Sequence, residues 1–137
     1  MLRTLSKILI VDDDPSTRFV LRLILEREGY AVVEAGNGQA ALDLIAPDPL
    51  PDIVMTDLMM PVMTGVELIR RLRSDPRTAE IRIVVVSSNA DAAASLQSRG
   101  QVNAIVSKPF SAGKLADGIR AILGNPMSGR QPTAGQA

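Results

Sequence analysis

Pro51-Asp52-Ile53-Val54-Met55-Thr56-Asp57-Leu58-Met59-Met60-Pro61-Val62-Met63-Thr64-Gly65 decides how the rest of the chain reads. Ile53, Val54 and Met55 form a continuous apolar run, the pattern of a strand buried on both faces. The run stops at Asp57. Pro61 and Gly65 end regular structure just beyond it, so Asp57 stands at the C-terminal edge of a strand on a shaped loop. Carboxylates are costly to bury without a partner, and the partners of Asp57 must come from elsewhere in the chain.

Outward from that stretch, strands and helices alternate. Lys7 to Val11 reads as a buried strand that ends in Asp12-Asp13-Asp14-Pro15. Asp14 suits an N-cap and Pro15 the first helical turn, opening a helix to about Glu28 with Val20, Leu23 and Ile24 inward. Tyr30 to Glu34 is a second strand, and Gln39 to Ile45 a short helix facing inward with Ala41, Leu44 and Ile45. Pro47, Pro49 and Pro51 stiffen the approach to the Asp57 strand. A third helix follows Gly65, with Leu68, Ile69 and Leu72 inward and Arg70, Arg71 and Arg73 on a solvated face. Arg82 to Val86 is a fourth strand, Ala90 to Ser98 a weakly amphipathic helix, and Val102 to Val106 a fifth strand. Ser111 caps a last helix that buries Leu115, Ile119, Ile122 and Leu123. Five alternations predict an α/β domain, a parallel sheet covered by helices on both faces. Residues 1–6 read as a lead-in, 7–123 as the domain, and 124–137 as a polar tail or linker stub. Met59, Met60 and Met63 read as packing.

Composition narrows the chemistry. The 137 residues include no cysteine and no histidine, which excludes thiolate catalysis, imidazole bases and Cys- or His-ligated zinc. Fifteen basic residues balance fifteen acidic ones, so bulk charge asks for neither nucleic acid nor a membrane surface. No segment reaches the ~20 apolar residues of a membrane span, and the N-terminus lacks a signal-peptide apolar region. A cytoplasmic setting is the expectation.

Strands of a parallel sheet point one way, so their ends gather on one edge, where open α/β sheets bind ligands. Asp12 and Asp13 end the first strand, Asp57 the third and Ser87 the fourth, and Lys108 follows the fifth. Carboxylates set together repel one another. A hard divalent cation resolves the repulsion, and oxygens of Asp13, Asp57 and a loop carbonyl suit Mg²⁺. With Lys108 opposite, such a cleft holds a carboxylate ready to receive a phosphoryl group.

The segments Ile-Leu-Ile-Val-Asp-Asp-Asp-Pro from Ile8, Pro51 to Gly65, Val-Val-Val-Ser-Ser-Asn-Ala from Val84, and Ser107-Lys108-Pro109-Phe110 resemble the receiver domain of two-component response regulators, in order from Lys7 to Leu123. That resemblance implies a flavodoxin-like five-stranded parallel sheet in the order 2-1-3-4-5. It implies that Asp57 is the phosphoacceptor and that Asp12 and Asp13 hold Mg²⁺, for which Mn²⁺ could substitute, with the Met59 backbone carbonyl as a further ligand. Ser87 matches the switch hydroxyl and Lys108 the phosphoryl-binding lysine, with a cis bond to Pro109. The implied donor is a sensor histidine kinase or His phosphotransfer protein. The implied output is docking to a further protein or passing phosphate along a relay. No direct nucleic-acid or membrane contact is expected from the balanced charge, and a monomer or weak homodimer is the expected state. The only reaction implied is phosphorylation and dephosphorylation of its own Asp, not enzymatic turnover.

Several positions depart from the family pattern. Ile105 stands where an aromatic ring or His usually changes rotamer, so output from the face between strand four and helix five is expected to be altered, or to run through the loop after Ser87. Ser88 replaces a usual Ala. Met59 and Asn89 occupy positions that tune hydrolysis, and Met59 cannot orient water, which predicts a long-lived phospho-form. Competing readings are a docking domain independent of phosphorylation and the N-terminal receiver fragment of a longer response regulator. A phosphohydrolase of the haloacid dehalogenase type would need an acid at position 59, and a nucleotide-binding module would need a Gly-rich loop after the first strand.

Overall fold

The computed structural model describes residues 5–47 and 49–123. The elements run β1 (Lys7–Val11), α1 (Pro15–Arg27), β2 (Ala31–Ala35), α2 (Gly38–Ile45), β3 (Ile53–Thr56), α3 (Gly65–Ser74), β4 (Arg82–Ser87), α4 (Ala90–Ser98), β5 (Ala104–Ser107) and α5 (Ala112–Leu123). The strands form one parallel sheet in the order β2-β1-β3-β4-β5, the flavodoxin-like arrangement. The polar tail expected at 124–137 and most of the lead-in at 1–6 lie outside the described residues.

Strand alternation sorts the core into two halves. On one face Leu9, Val11, Val54, Ile83 and Val85 pack under α2, α3 and α4 through Ala41, Ile45, Leu68, Ile69, Leu72, Ala93 and Leu96. On the other Ile8, Ile10, Ile53, Met55, Val84 and Val86 pack under α1 and α5 through Leu21, Leu25, Leu115 and Ile119. Burial on both faces is why the central strands read as unbroken apolar runs. Each such side chain contributes roughly 1.5–3 kcal/mol relative to exposure.

The helix starts follow their capping residues. Asp14 accepts from Ser16 N at the head of α1, Asn37 from Ala40 N at α2, Thr64 from Glu67 N at α3, and Asn89 from Ala92 N at α4. Ser111 Oγ accepts from Lys114 N at 3.1 Å, as expected for α5.

Three expected faces are corrected. Helix α1 buries Leu21 and Leu25, while Val20 and Leu23 are exposed and Ile24 lies partly buried against the core. The helix carries two apolar stripes, and docking on the sheet selects the one that periodicity did not. In α2, Ala41 and Ile45 are buried but Leu44 is exposed. Arg73 is not a solvated residue. Its guanidinium donates to the carbonyls of Gln101 at 3.0 Å, Ala79 at 3.0 Å and Ile81 at 2.6 Å, tying α3 to the entrances of β4 and β5. Arg70 and Arg71 do face solvent, pairing with Glu67. In α5, Leu115 and Ile119 are buried, while Ile122 and Leu123 are only partly so. The second and fifth strands also begin later than expected, at Ala31 and Ala104.

Candidate functional site

The C-terminal ends of β1, β3 and β4 and the turn after β5 bring their polar residues to one cleft. Asp57 follows directly from β3, and its N–H still donates to Val11 O at 3.0 Å. The backbone is therefore fixed by the sheet up to the residue that bears the carboxylate. Asp57 Oδ1 accepts from Leu58 N at 2.6 Å and from Met59 N at 3.4 Å. Asp57 Oδ2 accepts from Lys108 Nζ at 2.8 Å. Lys108 Nζ also donates to Asp12 Oδ2 at 3.1 Å, so one ammonium bridges two strand ends.

Asp12 is only 2% exposed. Besides Lys108, it accepts from Asp14 N through Oδ1 at 2.9 Å, while its backbone carbonyl accepts from Arg18 at 2.7 Å. Asp13, the next residue, is exposed at the mouth. Carboxylate oxygens of Asp12, Asp13 and Asp57 lie within 4.8 Å of one another. An all-oxygen donor set at that spacing, graded from buried to open, fits a hard divalent cation that keeps several waters. Partial burial presses against the charged form of Lys108. The hydrogen bonds and charges of Asp57 and Asp12 outweigh it and hold the lysine's pKa above its ordinary value.

Ser87 is buried at the end of β4, and its Oγ accepts from Asn89 N at 3.0 Å. Its carbonyl accepts from Lys108 N at 3.1 Å, so the turn carrying the lysine is stitched to the strand carrying the hydroxyl. The Lys108–Pro109 bond is cis. Asn89 is exposed as the cap of α4. Met59 is 67% exposed, which corrects its reading as packing; Met60 and Met63 are buried as expected. Ile105 lies away from the acids on β5, partly buried against the α2–α4 half of the core, and borders a hollow of about 270 Å³ with Phe110 and Lys114.

Three supporting features were not read from the sequence. Gly65 reads in the sequence as a chain-breaker, but a Cβ on it would lie 1.9 Å from the Asp57 carbonyl oxygen, so α3 starts by pressing bare backbone against Asp57. Thr56 Oγ1 donates to that same carbonyl at 2.7 Å. Val62 adopts φ 71°, a conformation its β-branched side chain argues against. A glycine a fixed distance beyond a strand-end acid was the available signal for the first; the other two had none.

The Response regulator receiver domain family model matches residues 8–120. The chain is 36% identical over 118 residues to the phosphate regulon transcriptional regulatory protein PhoB of Pseudomonas aeruginosa, covering 85% of this chain and 51% of that protein. It is 32% identical over 120 residues to the chemotaxis protein CheY1 of Helicobacter pylori, covering 86% of this chain and 97% of that protein. The chain thus spans about half of PhoB and nearly all of CheY1. A crystal structure of a putative response regulator from Chloroflexus aurantiacus superposes with a TM-score of 0.79 at 31% identity, covering 87% of this chain and 98% of the other. Among the described residues, no helix is long and apolar enough to cross a membrane.

Proposed function

Since the chain belongs to the response regulator receiver domains, we propose that it is a phosphoacceptor switch, taking a phosphoryl group from a phosphohistidine onto Asp57. The single observation that carries this reading is the Lys108 ammonium held between Asp57 and Asp12, beside a third carboxylate. A cation set between acids at the ends of distant strands has a use when a third anionic group is to enter.

In this reading a carboxylate oxygen of Asp57 attacks phosphorus, the bond from phosphorus to the donor nitrogen breaks, and an acyl phosphate remains on Asp57. Lys108 donates to an oxygen of the arriving group, stabilising charge where it develops. The Ser87 hydroxyl, accepting from Asn89 N, keeps its proton to donate to another. Leu58 N and Met59 N orient the carboxylate before attack. Asp12, Asp13, Asp57 and the Met59 carbonyl would hold Mg²⁺ or Mn²⁺. When bound, the cation neutralises charge on the phosphoryl oxygens. The donor is a sensor histidine kinase or a His phosphotransfer protein, and the phospho-form is read by docking to a further protein. The domain carries out this exchange on itself and turns over no separate substrate.

Incubation with Mg²⁺ and a small acyl phosphate is expected to add ~80 Da in a base-labile linkage, and Asp57→Asn to lose the adduct. An adduct that persists in Asp57→Asn, or none under any divalent cation, overturns the reading. A second reading, a docking domain that works without phosphorylation, is favoured by Ile105, whose branched aliphatic chain has no ring to swing between exposed and buried positions. It requires that Asp57→Asn bind the downstream protein as well as the phosphorylated wild type does.

A further inference from the structure

The loop from Leu58 to Thr64 carries Asp57 into α3, and two contacts outside the loop hold its shape. Gly65 is one, packed on the Asp57 carbonyl. Met63 is the other. Its side chain is buried in the space that a Cβ on Gly38 would need: that atom would meet Met63 Sδ at 2.8 Å and its Cβ and Cγ at 2.9 Å. Gly38 opens α2, so the first turn of α2 is the socket for Met63. Immediately before Met63 the backbone is strained. Met63 N donates to Pro61 O at 2.8 Å across Val62, whose φ is 71°. That is a γ-turn with a left-handed centre, a rare form, and a β-branched residue fits it badly. Val62 is 82% exposed, so its own packing does not offset the strain. Such conformations persist where the surroundings over-determine them.

We propose that Met63 is a positioning residue for Asp57. Seated on Gly38, it holds Val62 in the strained turn and so keeps the amides of Leu58 and Met59 aimed at the Asp57 carboxylate. The functional part of this inference rests on the reading of Asp57 as phosphoacceptor. Without the Met63 side chain, Val62 leaves the left-handed region, the loop relaxes, and the donors now 2.6 and 3.4 Å from Oδ1 turn away. The contact also gives α2 a mechanical line to the acceptor.

Two variants test it, Met63→Ala and Met63→Ala combined with Val62→Gly. Glycine takes positive φ without penalty, so it removes the drive to relax and restores no packing. Met63→Ala is expected to slow phosphorylation of Asp57 by a small acyl phosphate about tenfold and to move the ¹⁵N–¹H resonances of Leu58 and Met59. The double variant is expected to recover rate and resonances most of the way while its thermal midpoint stays low. Wild-type rate and resonances in Met63→Ala overturn the proposal. So does a loss that Val62→Gly leaves in place, because Met63 would then be simple core packing. If the wild type takes no phosphate, it is the reading of Asp57 that fails, and the resonances alone decide on the positioning role by the same comparison.

Discussion

At the scale of the residue, the site is a balance of charge with one apolar intruder. Met59 stands exposed beside Asp57, and under the proposed function a polar side chain at that position would hold a water. We expect Met59→Asn to shorten the lifetime of the phospho-form several-fold, about 1 kcal/mol in barrier. Following loss of the acyl phosphate in both proteins checks this, and an equal or slower rate in the variant sinks it. Lys108 sets a pH limit. Its folded pKa lies above the unfolded value of about 10.4. Its stabilisation is therefore complete below that pH and is lost as pH rises through the folded pKa. Thermal midpoints between about pH 9 and about pH 12 should fall more steeply for the wild type than for Lys108→Met; parallel curves would refute the assignment. These residues were legible in the sequence because acids, a hydroxyl and a lysine interrupted apolar strands. Val62 was not, since its side chain predicts the opposite of the backbone it adopts.

At the scale of the element, the strands and the caps Asp14 and Ser111 were read from the sequence, the caps Asn37, Thr64 and Asn89 were not, and the helix faces were legible only in part. Asp14, Asn37, Thr64, Asn89 and Ser111 cap their helices through side-chain oxygens that few other residues supply at that place. A helix such as α1, apolar on two sides, leaves the choice of face to tertiary docking. Arginines on α3 looked alike in sequence, yet Arg70 and Arg71 pair with Glu67 in solvent while Arg73 reaches three carbonyls. We expect Arg73→Ala to destabilise the fold by about 2 kcal/mol, because half-buried acceptors lose charge-assisted partners. Arg70→Ala should change little, as exposed pairs do. Urea unfolding measures both, and equal small shifts would return Arg73 to the solvated class.

At the scale of the whole molecule, topology turns scattered sequence positions into one cleft. Right-handed crossovers and two-sided burial leave only a handful of strand orders, the family resemblance implied the one observed, and the convergence of strand ends follows from the strands being parallel. The loop contacts of Gly65 and Gly38 could not be read the same way, since they depend on how closely separate elements approach. A cation held between the ends of β1 and β3 in the folded state, and by nothing in the unfolded chain, would stabilise the whole. At ten times its Kd, Mg²⁺ should contribute about 1.4 kcal/mol, or roughly 5 °C in thermal midpoint for a domain of this size. Calorimetry at matched ionic strength should show the shift in the wild type and much less of it in Asp13→Asn; equal shifts would move the cation elsewhere.

The bond from Lys108 to Asp12 joins residues 96 positions apart, and its consequence is one of timing. During synthesis both acids of β1 and then Asp57 leave the ribosome well before the lysine that balances them. A chain halted after β4 holds three like charges at its strand ends and no ammonium to meet them. The cleft reaches its working charge only when the turn after β5 is in place. If Asp57 takes the phosphoryl group as proposed, competence for that modification requires the chain to be complete through the turn after β5, where Lys108 sits.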